Sequence, residues 1–278
     1  MSDSQQANVE QERDRLIEES ERLYQQAFDL NAAIVRGAFE QSDAVDTDTL
    51  KPTFKDVIAL VEQSLELQEQ VWGLESLRVA DTVVDLAAIY HNTSDFERAT
   101  HLLQRALAIY EKHRGGQSPE VAVLLNNLAV LQIRQRHPTE ARQRFEQSLS
   151  IWENLSREGQ FYPQTTWNAW DSTGIVTGMT TKSRFGNPYL TTVSNLAEFY
   201  QTLELDHEAE QLLKQVLTAV KSEAPTSSSE VLFLRRKLIY TLRWVTTTRR
   251  YPCLSVFLLV LSSSMERNTN KLLLHSVS

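Results

Sequence analysis

Cysteine is almost missing: the 278-residue chain has one, Cys253. A single thiol excludes an internal disulfide and any site built from several thiolates, and it points to a reducing compartment, so the expected location is cytoplasmic. Glycine (8) and proline (7) are scarce as well, leaving long stretches without breakers. Basic residues are outnumbered, 28 against 36 acidic, for a formal net charge of −8. That argues against nucleic acid as a partner, which calls for a basic face. The longest apolar run, Cys253–Leu261, falls well short of the roughly 20 residues that cross a bilayer. Met1–Val9 is polar, without the basic start and apolar core of a secretion signal. Catalytic signatures are missing too. There is no phosphate-cradling glycine loop, Gly-x-Ser-x-Gly, His-Glu-x-x-His or Cys-x-x-Cys. The six histidines (His91, His101, His113, His137, His207 and His275) form no pair with ligand spacing. The expectation is a chain that is not an enzyme and holds no cofactor and no metal.

What is present is a period. Leu86-Ala87 returns as Leu128-Ala129, Ala99 as Ala141 and Leu107 as Leu149, each 42 residues on. A fixed step of this size is the mark of a repeat architecture. Within each repeat the apolar residues fall at helical spacing: Val83, Leu86, Ala87 and Tyr90 in a first helix, then Ala99, Leu103, Ala106 and Tyr110 in a second. Gly115-Gly116 stops one helix and Ser118-Pro119-Glu120 starts the next. Another repeat begins near Pro188, with Leu196-Ala197 and Ala209 in matching places. They follow Leu128-Ala129 and Ala141 by one constant step that is longer than the period, so a stretch has been inserted between the two repeats. A fifth first helix is expected over Ser229–Arg243. Ahead of the clear repeats, an amphipathic helix from Arg13 and a second from about Pro52 to Val71, separated by a loop at Gln41–Pro52, read as a divergent first repeat. A coiled-coil docking arm is the other reading of that first helix, which lacks a sustained heptad.

The stretches Leu125-Asn126-Asn127-Leu128-Ala129, Glu140-Ala141 and Ala106-Leu107-Ala108-Ile109-Tyr110-Glu111 resemble the tetratricopeptide repeat (TPR) family in its long form, found in kinesin light chains and nephrocystin-type proteins. Armadillo and HEAT repeats, the other families with a period near 40, lack this small-residue pattern. The resemblance implies an all-α, right-handed superhelical solenoid of antiparallel helix pairs, acting as a scaffold that holds a protein or peptide partner. Two departures stand out. Val84-Asp85 replaces the asparagine pair in one repeat, and Ser94 and Arg136 stand near the inter-helix turns where the family commonly has glycine.

First helices line the inner side of such a stack, and steps of three and four trace the stripe they present: Asp81, Asp85, Ala88 and Asn92; Val123, Asn127, Val130 and Arg134; Thr191, Asn195, Glu198 and Thr202; Phe233, Lys237 and Tyr240. The resemblance implies that Asn127 and Asn195, with Asn126 beside them, grip the backbone of an extended peptide, since an amide donates and accepts at once. The alternative is that they bond only to neighbouring helices or water. Asp81 and Asp85 make one end acidic, and Arg134 and Lys237 make the other basic. Asp85, Asn127 and Asn195 do not supply the paired cations with which chaperone-type members of the family hold a terminal carboxylate.

The expected organisation is a disordered N-terminus over 1–12, a repeat domain over 13–243 with an inserted loop at 156–187, and a divergent tail over 244–278. The core of the insert, 160–185, carries Trp167 and Trp170 without helical period and reads either as a binding loop or as an inert insertion. The tail reads as a cap on the open end of the stack, as an aberrant end, or, through Leu254–Leu261, as a membrane contact. The sequence does not specify the partner, the process it serves or the oligomeric state.

Overall fold

The computed structural model describes residues 3–40, 47–158, 188–205 and 207–212. The insert at 160–185, the helix expected over Ser229–Arg243 with Lys237, and the tail after Arg243 lie outside them. The described residues are helical and contain no strand. The helices are α1 (Asp3–Glu40), α2 (Thr47–Trp72), α3 (Leu77–Asn92), α4 (Phe96–Arg114), α5 (Pro119–Arg134), α6 (Pro138–Arg157) and α7 (Pro188–Thr202). The chain forms two compact units, Met1–Asn195 and Leu196–Ser278.

In the first unit α1 pairs with α2, α3 with α4 and α5 with α6, and each pair packs on the next. Local chemistry sets the ends. Ser76 and Ser118, one period apart, each accept a bond from the backbone N–H three positions on, at 3.3 and 3.4 Å, satisfying one of the orphan donors of a helix start. Gly73 and Gly115, separated by the same step, both stand at φ 83°, where a side chain would strain the backbone. Inside the pairs α3–α4 and α5–α6 the turn closes identically: Asp95 N–H donates to the Tyr90 carbonyl at 2.9 Å and His137 N–H to the Gln132 carbonyl at 2.8 Å. These turns hold Ser94 at φ 62° and Arg136 at φ 63°, so the family's glycine positions keep their left-handed geometry without their glycines.

Small residues let the helices close up. Ala87, Ala99, Ala129 and Ala141 are all fully buried, and a bulkier side chain there would force helices apart. In α1 the corresponding residue is Ala27, also fully buried, but it lies more than one period before Ala87, chiefly because α1 and α2 run on further at their connected ends than α3 and α4 do. Stacking is registered by side chains too. Ser64 Oγ of α2 donates to the Ser20 carbonyl of α1 at 2.7 Å, and Ser148 Oγ of α6, two periods later, donates to the Ala122 carbonyl of α5 at 2.6 Å.

The insert does not disturb this register. Thr82 Oγ1 of α3 donates to Gln68 Oε1 of α2 at 2.7 Å. The equivalent pair after the insert is Trp152 of α6 and Thr192 of α7, joined by an Nε1–H···Oγ1 bond of 3.3 Å. In the second unit the turn after α7 repeats the pattern: Leu205 N–H donates to the Tyr200 carbonyl at 2.8 Å, Glu204 stands at φ 60°, and Leu196, Ala197 and Ala209 are buried.

Two boundaries differ from the sequence reading. α1 begins at Asp3, so most of the stretch expected to be disordered is helix. Gln and Glu make up half of residues 3–12 and no glycine or proline follows before Gly37, and a helix held by packing from Ser20 onward extends readily through such residues. Residues 4–15 are exposed on every side, which is why no apolar stripe betrays them. α2 begins at Thr47, five positions ahead of Pro52.

Candidate binding face

The stripe read from the first helices is a buried polar spine flanked by more accessible ends. α5 is buried along every residue from Val121 to Leu131, and Asn126 and Asn127 are fully buried within it. Asn126 Nδ2 donates to Asn127 Oδ1 at 3.1 Å, and Asn195 Nδ2 of α7 donates to Asn126 Oδ1 at 2.9 Å. The three asparagines thus form a chain from α5 to α7, joining two successive first helices. The reading in which they bond to neighbouring helices describes these contacts.

Asp85 takes the place of Asn127 one repeat earlier and is also buried. A carboxylate there needs a donor, and the Tyr24 hydroxyl of α1 supplies it. Burial pushes the Tyr24 phenol up from its ordinary value, and the Asp85 charge and hydrogen bond add to the effect, so it stays protonated as the donor. Asp81, one turn before Asp85, accepts from the Tyr110 hydroxyl of α4 and is half-buried. At the other end of α5, Arg134 is exposed. It lies close enough to His91 for its charge to act on that imidazole. His91 is buried at the end of α3, its ring 5.7 Å from that of Phe96. Its pKa falls to about 4, chiefly through burial; a hydrogen bond to Asn92 opposes the fall and the charge of Arg134 adds to it. His91 is therefore neutral at pH 7. Glu198 lies on α7 in the second unit and is half-buried; Lys237 lies outside the described residues.

The structure therefore brings Asn126, Asn127 and Asn195 together, gives Asp85 and Asp81 to tyrosines, and leaves Arg134 facing solvent. Tyr24 escaped the sequence reading. Its signal was the aspartate: a carboxylate at a position otherwise held by a buried amide demands a donor from a neighbouring first helix. Among the described residues, no group of three or more His, Cys, Asp and Glu is placed to hold a metal ion, and no helix is long and apolar enough to cross a membrane.

Comparison with known proteins agrees with this geometry. Tetratricopeptide repeat patterns match residues 78–154 and 190–221. No curated protein matches the sequence. Among solved structures, the chain is similar to BtubC (BKLC) from P. vanneervenii, with 19% identity, a TM-score of 0.46, and coverage of 78% of this chain and 92% of that one. It is similar also to a kinesin-light-chain-like protein of Podospora anserina with nearly identical TPR-like repeats, at 17% identity and a TM-score of 0.45, covering 78% of this chain and 98% of that one. Repeats of this family serve as scaffolds for protein interaction, and protein binding is the kind of work this fold supports. With helix pairs recurring at a constant step, buried alanines at fixed places and turns of one geometry, the chain carries tetratricopeptide repeats, matched over residues 78–154 and 190–221.

Proposed function

We propose that the chain is an adaptor whose first helices α3, α5 and α7 receive an extended segment of a partner protein along the stripe from Asp81 to Asn195. The observation that carries this reading is recurrence: Asp85, Asn127 and Asn195 occupy one register position on successive first helices, so a linear ligand meets first helices held at a regular spacing. Burial divides the labour within the stripe. Asn126, Asn127, Asn195 and Asp85 set the spacing of the helices, and the half-buried Asp81 and exposed Arg134 meet the ligand. Sequence register continues the stripe to Glu198 and Lys237. A segment basic toward Asp81 and acidic toward Arg134 matches the charges. A photocrosslinking residue placed at Arg134 should form adducts with partner proteins in cell extract, and one placed at Glu153 on the exposed face of α6 should not. Adducts at Glu153 alone, or at both positions equally, would overturn the assignment.

A further inference from the structure

The second helices hold a different feature. Between α4 and α6, over α5, lies an open cleft of about 550 Å³. Its floor is Leu107, Val121, Leu125 and Ile151, and its walls include Glu111, Gln132, Glu140, Arg144 and Gln147. Leu125 and Asn127 lie two positions apart, about 200° around the helix, so the cleft is on the face of α5 opposite the asparagine spine.

The preceding seam, between α2 and α4, explains why the cleft exists. There Arg105 reaches across and binds Glu69 at 2.6 Å and the Leu74 carbonyl at 3.0 Å. Tyr90 donates to Glu62 at 2.7 Å and accepts from Arg98 at 3.3 Å. Lys112 pairs with Glu75 at the rim. One period on, the rim latch survives as an amide pair, Asn154 to Gln117 at 2.9 Å. The other two are gone. Arg105 becomes Gln147, Arg98 becomes Glu140 and Tyr90 becomes the shorter Gln132, while the acceptor Glu69 is kept as Glu111. Among the described residues no ion pair engages Glu111. Gln132 Oε1 is buried without a hydrogen-bond partner. Leu74 becomes Gly116, beside which a side chain would meet open space. In the Tyr90 contact the acceptor Glu62 also changes, to Gln104, but the two acceptors of Arg105 remain, as Glu111 and the Gly116 carbonyl, where the cation has been lost.

We infer that the α4–α6 cleft receives an arginine side chain of a partner protein, its guanidinium standing where Arg105 stands one repeat earlier, against Glu111 and the Gly116 carbonyl. A guanidinium forks its donors to two acceptors at once, which an ammonium does not. The volume suits an arginine together with its flanking residues. Two neighbours bear on the site. Glu140 adds negative charge, with His137 3.8 Å away on its solvent side, and Arg144 is the internal cation that competes for the same carboxylates.

The experiment titrates the full chain with N-acetylarginine amide, following the side-chain amide resonances of Gln117, Gln143 and Gln147. Saturable shifts at these amides are expected. The lysine analogue should bind several-fold more weakly and the citrulline analogue, isosteric but neutral, should produce no saturable shift. Glu111→Gln should weaken binding at least fivefold, Arg144→Gln should strengthen it by removing the competitor, and Gln147→Arg should abolish it by closing the latch within the chain while raising the melting temperature. Glu111 and Gln147 are exposed, so these variants keep the fold, which circular dichroism verifies. Unshifted amides at saturating probe, equal binding by Glu111→Gln, tighter binding of the citrulline analogue, or weaker binding by Arg144→Gln would each overturn the inference.

Discussion

The repeat formed by α3 and α4 and the repeat formed by α5 and α6 share a backbone and differ in their polar chemistry. Both bury alanines at the same three places, both cap a first helix with serine, and both turn through a left-handed residue with the same hydrogen bond. Yet the first is held by charge: Asp85 with Tyr24, Arg105 with Glu69, Lys112 with Glu75. The second is held by amides: Asn126 with Asn127 and Asn195, Asn154 with Gln117. A minority of positions in each period specify the hairpin and its stacking. The remainder are free to decide which seam is latched and which is open, so function in such a chain lies in the departures from the repeat.

The equivalence of the two backbones is tested most severely by overpacking. Ala87→Leu and Ala129→Leu should each cost about 3 kcal/mol, measured by urea unfolding. A large loss at one and none at the other would show that the two repeats are not stacked alike. A comparable effect comes from His91, whose counterpart in the next repeat is Ile133. Its pKa falls from 6.5 to about 4 in the folded chain. The unfolded chain therefore binds the proton first, and stability that is complete above pH 6.5 is lost as pH falls toward 4, by up to about 3 kcal/mol. His91→Ile should flatten that window, and an unchanged acid profile would show that another group governs it.

Smaller effects sharpen the contrast between charge and amide. Tyr24→Phe leaves the buried Asp85 carboxylate without this donor and should cost about 2 kcal/mol, read as a shift of the urea midpoint with unchanged slope. Arg105→Gln converts the latched seam into a copy of the open one. It should cost only about 1 kcal/mol, because the pair is partly exposed, and it should create a second site for N-acetylarginine amide. Smallest is a gain. Ser94→Gly and Arg136→Gly relieve left-handed backbone at φ 62° and 63°, and each should add about 0.5 kcal/mol, the relief being partly offset by a freer unfolded chain. A loss at either would show that its side chain matters more than its backbone.

The hairpins were legible because they rest on residue size, and size recurs with the period. Ala87, Ala129 and Ala197 announce close helix approach wherever they stand. α1 was harder to place: its Ala27 stands further ahead of Ala87 than one period, so a search at the constant step does not register it, although the helix itself was evident from Leu16 onward. Its first turns were hidden because exposed helix has no stripe to read. Whether a polar stripe residue faces solvent was not legible at all. Asp85 is covered by a tyrosine from a distant first helix, and Asn127 by packing on all sides of α5, and neither is a local property. The cleft escaped for the opposite reason: it arises from side chains lost relative to the neighbouring repeat, which only an alignment of one seam on the other reveals.

Trp152 meets Thr192 as Gln68 meets Thr82, although the first pair is much further apart along the chain than the second. The junction between α6 and α7 thus keeps the register of the earlier one. A peptide epitope or a small folded reporter spliced between Glu158 and Pro188 should ride on the protein as a passenger, a natural port for labelling the chain.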